Sequence, residues 1–142
     1  MYRQCHSDCL YHYIAEVGLI PNTEHFRNIH RYQVETRSEL VLLRPDESLF
    51  FANANYLEEK IYHLIYQRDL ISHVVIIAIN EIDFSALEVL ETINARLQEQ
   101  GLSLHLAEIK GPVMDNLQRT GFLNKLSGNL FLTSYEAYRA IH

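Results

Sequence analysis

The chain has 142 residues, a length that fits a single domain with a sizeable core. Its composition is 48% hydrophobic and 21% charged, as in globular proteins, which excludes a disordered chain. The formal net charge of -6, without a cluster of Lys and Arg, argues against nucleic acid as a partner. The longest apolar run is six residues, too short to cross a bilayer, and no signal peptide is recognisable, so a soluble intracellular chain is expected.

Residues 1–13 show no amphipathic period and are predicted to be a disordered lead-in or a segment left by cloning. Both cysteines, Cys5 and Cys9, lie here, so no disulfide framework is expected in the body of the chain. With His6 and His12 they are candidate zinc ligands by residue type and spacing. A structural zinc site needs four ligands on a chain that folds around them, and we therefore predict no bound metal.

The next stretch combines strand-like and turn-like signals. Apolar residues 15–20 predict a docking strand, Pro21 and Asn22 predict a turn, and the polar residues up to 34 are typical of a connector. The runs LVLLR and SLFFA, on either side of Pro45, predict a β-hairpin. A helix should follow, capped by Asn53 or Asn55, and its expected buried stripe is Ala54, Leu57, Ile61, Leu64 and Ile65.

The central unit is a buried strand, an acidic turn and an amphipathic helix without a gap. Residues 74–79 are all apolar, which indicates a strand covered on both faces. Ser85 and Glu88 have the spacing of a capping box, so the helix is predicted to begin at Ser85. Its apolar positions at helical spacing are Ala86, Val89, Leu90, Ile93 and Leu97.

The C-terminal third repeats the alternation of strands and helices. Gly101 is predicted to end the central helix, and residues 102–106 alternate as a strand. Gly111 and Pro112 open a short helix that Gly121 should stop, with Val113, Met114 and Leu117 inward. After a short strand at 130–132, Thr133 and Glu136 form a capping box, and the last helix should bury Ala137, Ala140 and Ile141. This order predicts an α/β fold with a mixed sheet under helical cover.

Four segments then resemble one family. They are the G-x-x-P-x-T-E-H-F-R-N stretch at 18–28, the FAN triplet at 51–53, the I-D-x-S-A-L stretch at 82–87 and FLTSYEA at 131–137. Together they look like the C-terminal cytoplasmic STAS domain of SulP-family anion transporters. The resemblance implies the STAS fold, also found in anti-sigma factor antagonists: a mixed sheet of five or six strands with four helices mainly on one side. It also implies a linker from a membrane domain at 14–38 and the STAS domain at 39–142.

The resemblance implies a regulatory, protein-interaction role within a secondary active carrier of inorganic anions of the sulfate or bicarbonate type. The chain would then lie at the cytoplasmic face of the membrane and transport nothing by itself. Its expected partners are the carrier's transmembrane domain, an unidentified cytoplasmic protein and a second copy of the chain. The alternative is a stand-alone anti-sigma factor antagonist, which has no need of the linker at 18–28.

The turn before the central helix holds the candidate regulatory loop, which comprises Asp83, Phe84, Ser85, Glu88 and Glu91. By resemblance to the antagonists, Ser85 is a candidate phosphorylation site, although Phe84 and Ala86 depart from their pattern. The alternative is that Ser85 only caps the helix. With Glu81, the loop carries four carboxylates and no basic residue, so it could steer a basic partner or simply form a solvated face.

A small anion or a nucleotide phosphate is a further candidate ligand. If the strands before the two helices are adjacent and parallel, both helix starts open at one sheet edge, at Ser85 and Ala86 and at Gly111 and Val113. The chain has neither a Walker A loop nor a G-x-G-x-x-G turn, and no cofactor is predicted. The eight dispersed histidines and the absence of a nucleophile elbow argue against an enzyme.

Overall fold

The computed structural model describes residues 14–45 and 51–142, and the side chains from residue 53 onward in the second range. Within these residues the chain forms six strands and five helices in one sheet-based fold. The strands are β1 (Ile14–Leu19), β2 (Phe26–Asn28), β3 (Leu40–Pro45), β4 (His73–Ile77), β5 (Ser103–Ala107) and β6 (Leu130–Phe131). The helices are α1 (Phe51–Gln67), α2 (Phe84–Glu99), α3 (Gly111–Arg119), α4 (Phe122–Lys125) and α5 (Ser134–Ala140).

The sheet is mixed, with the strand order β2-β1-β3-β4-β5-β6. The neighbours β3, β4, β5 and β6 run parallel, whereas β1 is antiparallel to both β2 and β3. Strands β3 and β4 are apolar nearly throughout because both of their faces are covered. The predicted α/β fold with a mixed sheet of five or six strands is therefore confirmed.

The two faces of the sheet carry different covers. On the first, which we call the helical face, buried residues of α1, α2, α3 and α4 pack on β3, β4 and β5 in one apolar cluster. On the second, the α5 face, Ala137 and Ile141 pack against alternate residues of the same strands. The expectation of four helices mainly on one side is confirmed, and α5 adds a fifth on the opposite side.

An ion pair between a buried carboxylate and a partly exposed guanidinium joins the end of α1 to β1 on the helical face. The side chain of Glu16 on β1 is buried, and both of its carboxylate oxygens accept hydrogen bonds from the Arg68 guanidinium, at 2.7 and 2.8 Å. Lys60 donates to the Ile14 carbonyl oxygen at 2.8 Å, and burial lowers the pKa of its ammonium. These contacts fix β1 in the sheet against α1.

Most elements match the sequence pattern. In α1 the residues Ala54, Leu57, Ile61 and Leu64 are buried as predicted. Gly101 has a φ of +80° just after the α2 C-cap, which is the left-handed conformation that glycine adopts at helix ends. The Thr133 hydroxyl accepts from the Glu136 amide at 3.0 Å, so the predicted cap of α5 is confirmed.

Four local predictions are wrong. The predicted hairpin fails because Phe51 and the residue after it begin α1, while residues 46–50, the rest of its turn and second strand, lie outside the described residues. Asn53 and Asn55 consequently lie inside α1, as its third and fifth residues, and neither is the residue that precedes the helix. Ala140 is exposed, because Ala137 and Ile141 occupy the inward positions at the end of α5 and Ala140 lies on the outer side between them. The fourth wrong prediction is the start of α2 at Ser85, because the helix begins at Phe84 with Asp83 as its N-cap. In addition, the short helix α4 was not predicted, although its Phe122 is completely buried.

Candidate functional site

The turn between β4 and α2 is built by backbone and capping contacts. The chain leaves β4 at Ala78, whose φ is +60° and whose amide donates to the Ala107 carbonyl oxygen at 3.0 Å. Asp83 is the N-cap of α2, and its Oδ1 accepts from the Ala86 amide at 2.7 Å. The predicted cap at Ser85 is therefore wrong. The helix starts at Phe84, because the Asp83 carboxylate reaches a free amide of the first turn, where negative charge is favourable.

The predicted regulatory loop lies at the surface. The Phe84 ring is 71% exposed at the first position of α2, Ser85 is half-buried and Glu88 is exposed. A large aromatic side chain in this position gains little from the fold itself, because most of its surface stays in water. An exposed aromatic beside carboxylates offers a partner both an apolar anchor and a charge.

A shallow groove between α1 and α2 begins beside this turn. It has a volume of about 210 Å³ and is lined by Glu58, Ser85, Glu88, Val89 and Thr92. Glu58 belongs to α1 and was not predicted as a site residue, because the contact between α1 and α2 is not visible in the sequence around residue 85. The groove therefore joins the predicted Ser85 and Glu88 to a carboxylate from another helix.

Two of the neighbouring carboxylates already have partners. Tyr62 donates its hydroxyl to Glu58 at 3.0 Å, and burial, followed by this hydrogen bond, raises the pKa of Tyr62 to about 12. The Glu91 carboxylate lies 3.5 Å from the ammonium of Lys125 on α4. Glu91 thus points away from the groove, and the acidic residues of the predicted loop do not share one face.

The anion or nucleotide hypothesis meets one of its conditions. Strands β4 and β5 are adjacent and parallel, so α2 and α3 both start at the same sheet edge. The side chains of Ala86 and Val113 are buried in the core, and the Ala86 amide already donates to Asp83. Gly111 and Val113 do not line the groove at Ser85, where Glu58 and Glu88 oppose an anion. An anion at Ser85 would have to displace the Asp83 carboxylate.

The described residues contain neither a cluster of metal ligands nor a membrane-spanning helix. Among residues 14–45 and 51–142, no three His, Cys, Asp or Glu side chains lie close enough to hold a metal ion. The zinc candidates Cys5, Cys9 and His12 lie outside the described residues. In that same part of the chain, every helix is too short or too polar to cross a bilayer.

Sequence comparison connects the chain to transport proteins. Residues 31–137 match the STAS domain family. The chain is 31% identical over 140 residues to sulfate transporter 3.2 of Arabidopsis thaliana, a match that covers 89% of this chain and 22% of that protein. It is also 31% identical over 136 residues to sulfate transporter 1.3 of the same plant, covering 87% of this chain and 21% of that protein. The chain thus spans about a fifth of the length of these relatives.

Solved structures share the fold. The murine Solute Carrier 26 family member A9 (Slc26a9) anion transporter, in the inward-facing state, matches with a TM-score of 0.74 at 13% identity, over 89% of this chain and 22% of that one. The Bacillus cell fate determinant SpoIIAA, in the phosphorylated form, matches with a TM-score of 0.59 at 15% identity, over 76% of this chain and 96% of that one. Because the family match covers most of the chain and the fold agrees with it, the chain belongs to the STAS domain family.

Proposed function

We propose that the chain is the regulatory, protein-interaction domain of a sulfate-type anion transporter and works at the cytoplasmic face of the membrane. The observation that carries this proposal is the similarity over 89% of the chain to a sulfate transporter of which it spans 22%. A separate membrane-spanning part would then perform the transport. The STAS domain would control that part by binding it or by binding a cytoplasmic protein.

The contact surface in this proposal is the start of α2. Phe84 supplies an exposed apolar anchor, and Glu81 and Glu88 are exposed carboxylates close to it in sequence. Exposed charges of one sign steer a partner of opposite sign, and a central aromatic side chain supplies binding energy. The expected partner is therefore a basic segment, such as a cytoplasmic loop of the membrane domain, with an apolar side chain that covers Phe84.

The first test is genetic. The genomic reading frame that encodes the chain should also encode about a dozen apolar segments, each of about 20 residues, upstream of the STAS domain. In the full-length protein, the double variant Phe84→Ala and Glu88→Lys should lower uptake of radiolabelled sulfate by about fivefold or more, because anchor and charge are both lost. Protein abundance in the membrane should stay unchanged.

A matched control is available at the C-terminal end of α1, away from the start of α2. Tyr66 is 87% exposed and lies in the last turn of that helix, whereas α2 starts at the opposite sheet edge. The variant Tyr66→Ala should therefore transport sulfate like the wild type. Normal uptake by the double variant would contradict the proposed contact surface, and a reading frame without apolar segments would contradict the transporter itself.

The stand-alone antagonist is a second candidate, supported by the match over 96% of SpoIIAA. Ser85 is the second residue of α2 and half-buried beside Glu58 and Glu88. A phosphate there would gain from the helix dipole but would be repelled by both carboxylates, and so would disturb partner binding. Mass spectrometry of the native protein should find phosphoserine at Ser85 in this case. A Ser85→Asp variant that binds every partner normally would contradict it.

A further inference from the structure

His105 is a buried histidine in the middle of β5 that the proposed function does not use. It lies on the α5 face of the sheet and is 4% exposed. Its ring lies 5.2 Å from the ring of His73 on β4 and 5.8 Å from that of Phe131 on β6, measured between ring centres. It therefore sits between two neighbouring strands on the side of the sheet that α5 covers.

The hydrogen bonds of His105 assign one tautomer to its ring. The amide of Asn129 donates to His105 Nδ1 at 3.0 Å, so this nitrogen is the unprotonated one. His105 Nε2 then carries the hydrogen and donates to His73 Nδ1 at 3.1 Å. The chain of contacts needs a neutral imidazole, because a proton on His105 Nδ1 would meet the Asn129 N–H head-on.

Asn129 is the residue that leads into the edge strand β6. Its carbonyl oxygen accepts from the Leu106 amide at 3.1 Å, and the Gly128 amide donates to the Leu104 carbonyl oxygen at 2.9 Å. A Cβ atom at Gly128 would lie only 2.5 Å from His105 Nδ1, so this approach needs a glycine. Strand β6 has only two residues, and the imidazole accepts the hydrogen bond of the amide that leads into it.

Few charged groups surround His105. His73 faces it from β4, and Glu39, which pairs with Arg37, faces His73 in turn. From the side of β6 it meets Gly128, Asn129 and Phe131, none of which titrates. Helix α5 contributes the partly buried Tyr135 and Tyr138 to this face of the sheet. Burial, with a smaller contribution from the charge of His73, lowers the pKa of His105 to about 4.

We propose that His105 is a proton-sensitive latch that holds the edge strand β6 on the sheet at neutral pH and releases it as the pH falls. A released ring would titrate near its ordinary value of 6.5, whereas the closed ring stays neutral down to about 4. Between these values the open form binds more protons than the closed form, so opening becomes more favourable as the pH decreases. Release would free the amides of Leu106 on β5 and of Glu108 just after it, which now donate to the carbonyl oxygens of Asn129 and Phe131. This latch does not depend on the transporter assignment.

Amide hydrogen exchange of the 142-residue chain, followed by NMR, tests the latch. Protection factors correct for the intrinsic pH dependence of exchange. Between about pH 7.5 and about pH 5.5, the protection factor of the Asn129 amide should fall about tenfold. The reason is that the released ring, with a pKa near 6.5, takes up a proton over this range, whereas the closed ring, with a pKa of about 4, stays neutral. The Leu19 amide, which donates to the Glu35 carbonyl oxygen at 3.0 Å near the far edge of the sheet, is the control and should keep its protection.

The variant His105→Gln removes the titrating ring but keeps an amide that can donate to His73. If it folds, its Asn129 protection should be the same at both pH values. If it does not fold, the ¹⁵N shifts of the wild-type imidazole decide, and they should show a bare Nδ1 and a protonated Nε2. A pH-independent Asn129 amide, an equal loss at Leu19, or a proton on His105 Nδ1 at neutral pH would each overturn the latch.

Discussion

The two faces of the sheet are held by different forces. On the helical face, α2 alone buries Leu87, Leu90, Ile93 and Leu97 against the strands, in a continuous apolar cluster. On the α5 face, the covering helix has seven residues and places Ala137 and the adjoining Ile141 inward. Apolar area scales with stabilisation, so the helical face should supply most of the stability of the domain.

On the α5 face, polar contacts offset the smaller apolar area that its covering helix buries. Arg37 donates to the carbonyl oxygens of Tyr138, at 2.7 Å, and of Ile141, and its guanidinium lies 5.0 Å from the centre of the Tyr138 ring. Glu108 accepts from the amide of Ser134 at 2.9 Å and from its hydroxyl. Such contacts can open one by one, whereas a packed core opens as a whole. The α5 face is therefore where local motion should cost least, and the His105 latch lies on it.

The largest effect should come from a cavity on the helical face. Leu90 is fully buried, and Leu90→Ala should lower the free energy of unfolding by about 3 kcal/mol, because packing is lost and a cavity remains. Urea denaturation measures this change. Leu132, which is 82% exposed, is the matched control, and Leu132→Ala should change stability by less than about 0.5 kcal/mol. An equal loss of unfolding free energy in both variants would contradict the claim that packing on the helical face supplies most of the stability.

Most of the helical face was predictable from the sequence. The spacing of Leu57, Ile61 and Leu64 and the apolar run at 74–79 follow helix and strand periods, which local sequence encodes directly. The start of α1 was missed because the paired Phe residues at 50 and 51 favour a strand by propensity. Residue 51 nevertheless begins α1, whose buried stripe of Ala54, Leu57, Ile61 and Leu64 follows the helical period.

An intermediate effect is expected at Arg37 on the α5 face. Arg37→Ala removes hydrogen bonds from a charged donor to two carbonyl oxygens, which should make local opening of α5 easier by about 1–2 kcal/mol. Because the side chain is partly exposed, the effect on global unfolding should be smaller. Hydrogen exchange of the α5 amides measures the local change. Arg37→Lys keeps the charge without the two-pronged donor and should give an intermediate loss, and unchanged α5 protection in Arg37→Ala would contradict the role of this contact.

The site was only partly predictable. The exposure of Phe84 and the proximity of Ser85 and Glu88 follow from a turn that precedes an amphipathic helix, so the linear pattern was sufficient. Glu58 enters the groove from α1, and His73 meets His105 through the register of β4 and β5. These contacts join residues that are far apart in the chain. The periodicity of a single sequence shows which residues share a face of one helix or strand, but not which residues of different elements meet. The capping residue was missed because Asp83 and Ser85 both have side chains suited to an N-cap.

The smallest effect, and one of opposite sign, is expected at Ala78, the residue after β4, which packs partly against the α5 face. A residue with a Cβ loses about 1–2 kcal/mol in the left-handed conformation that Ala78 adopts, at a φ of +60°. Glycine avoids this strain but loses more backbone entropy on folding, so Ala78→Gly should raise stability by about 0.5 kcal/mol. The exposed Ala95 in α2 is the matched control, and Ala95→Gly should lower stability by about 1 kcal/mol. If thermal unfolding shows both glycine variants destabilised alike, Ala78 is not strained, and the sharp exit from β4 toward the α2 turn must be held by packing alone.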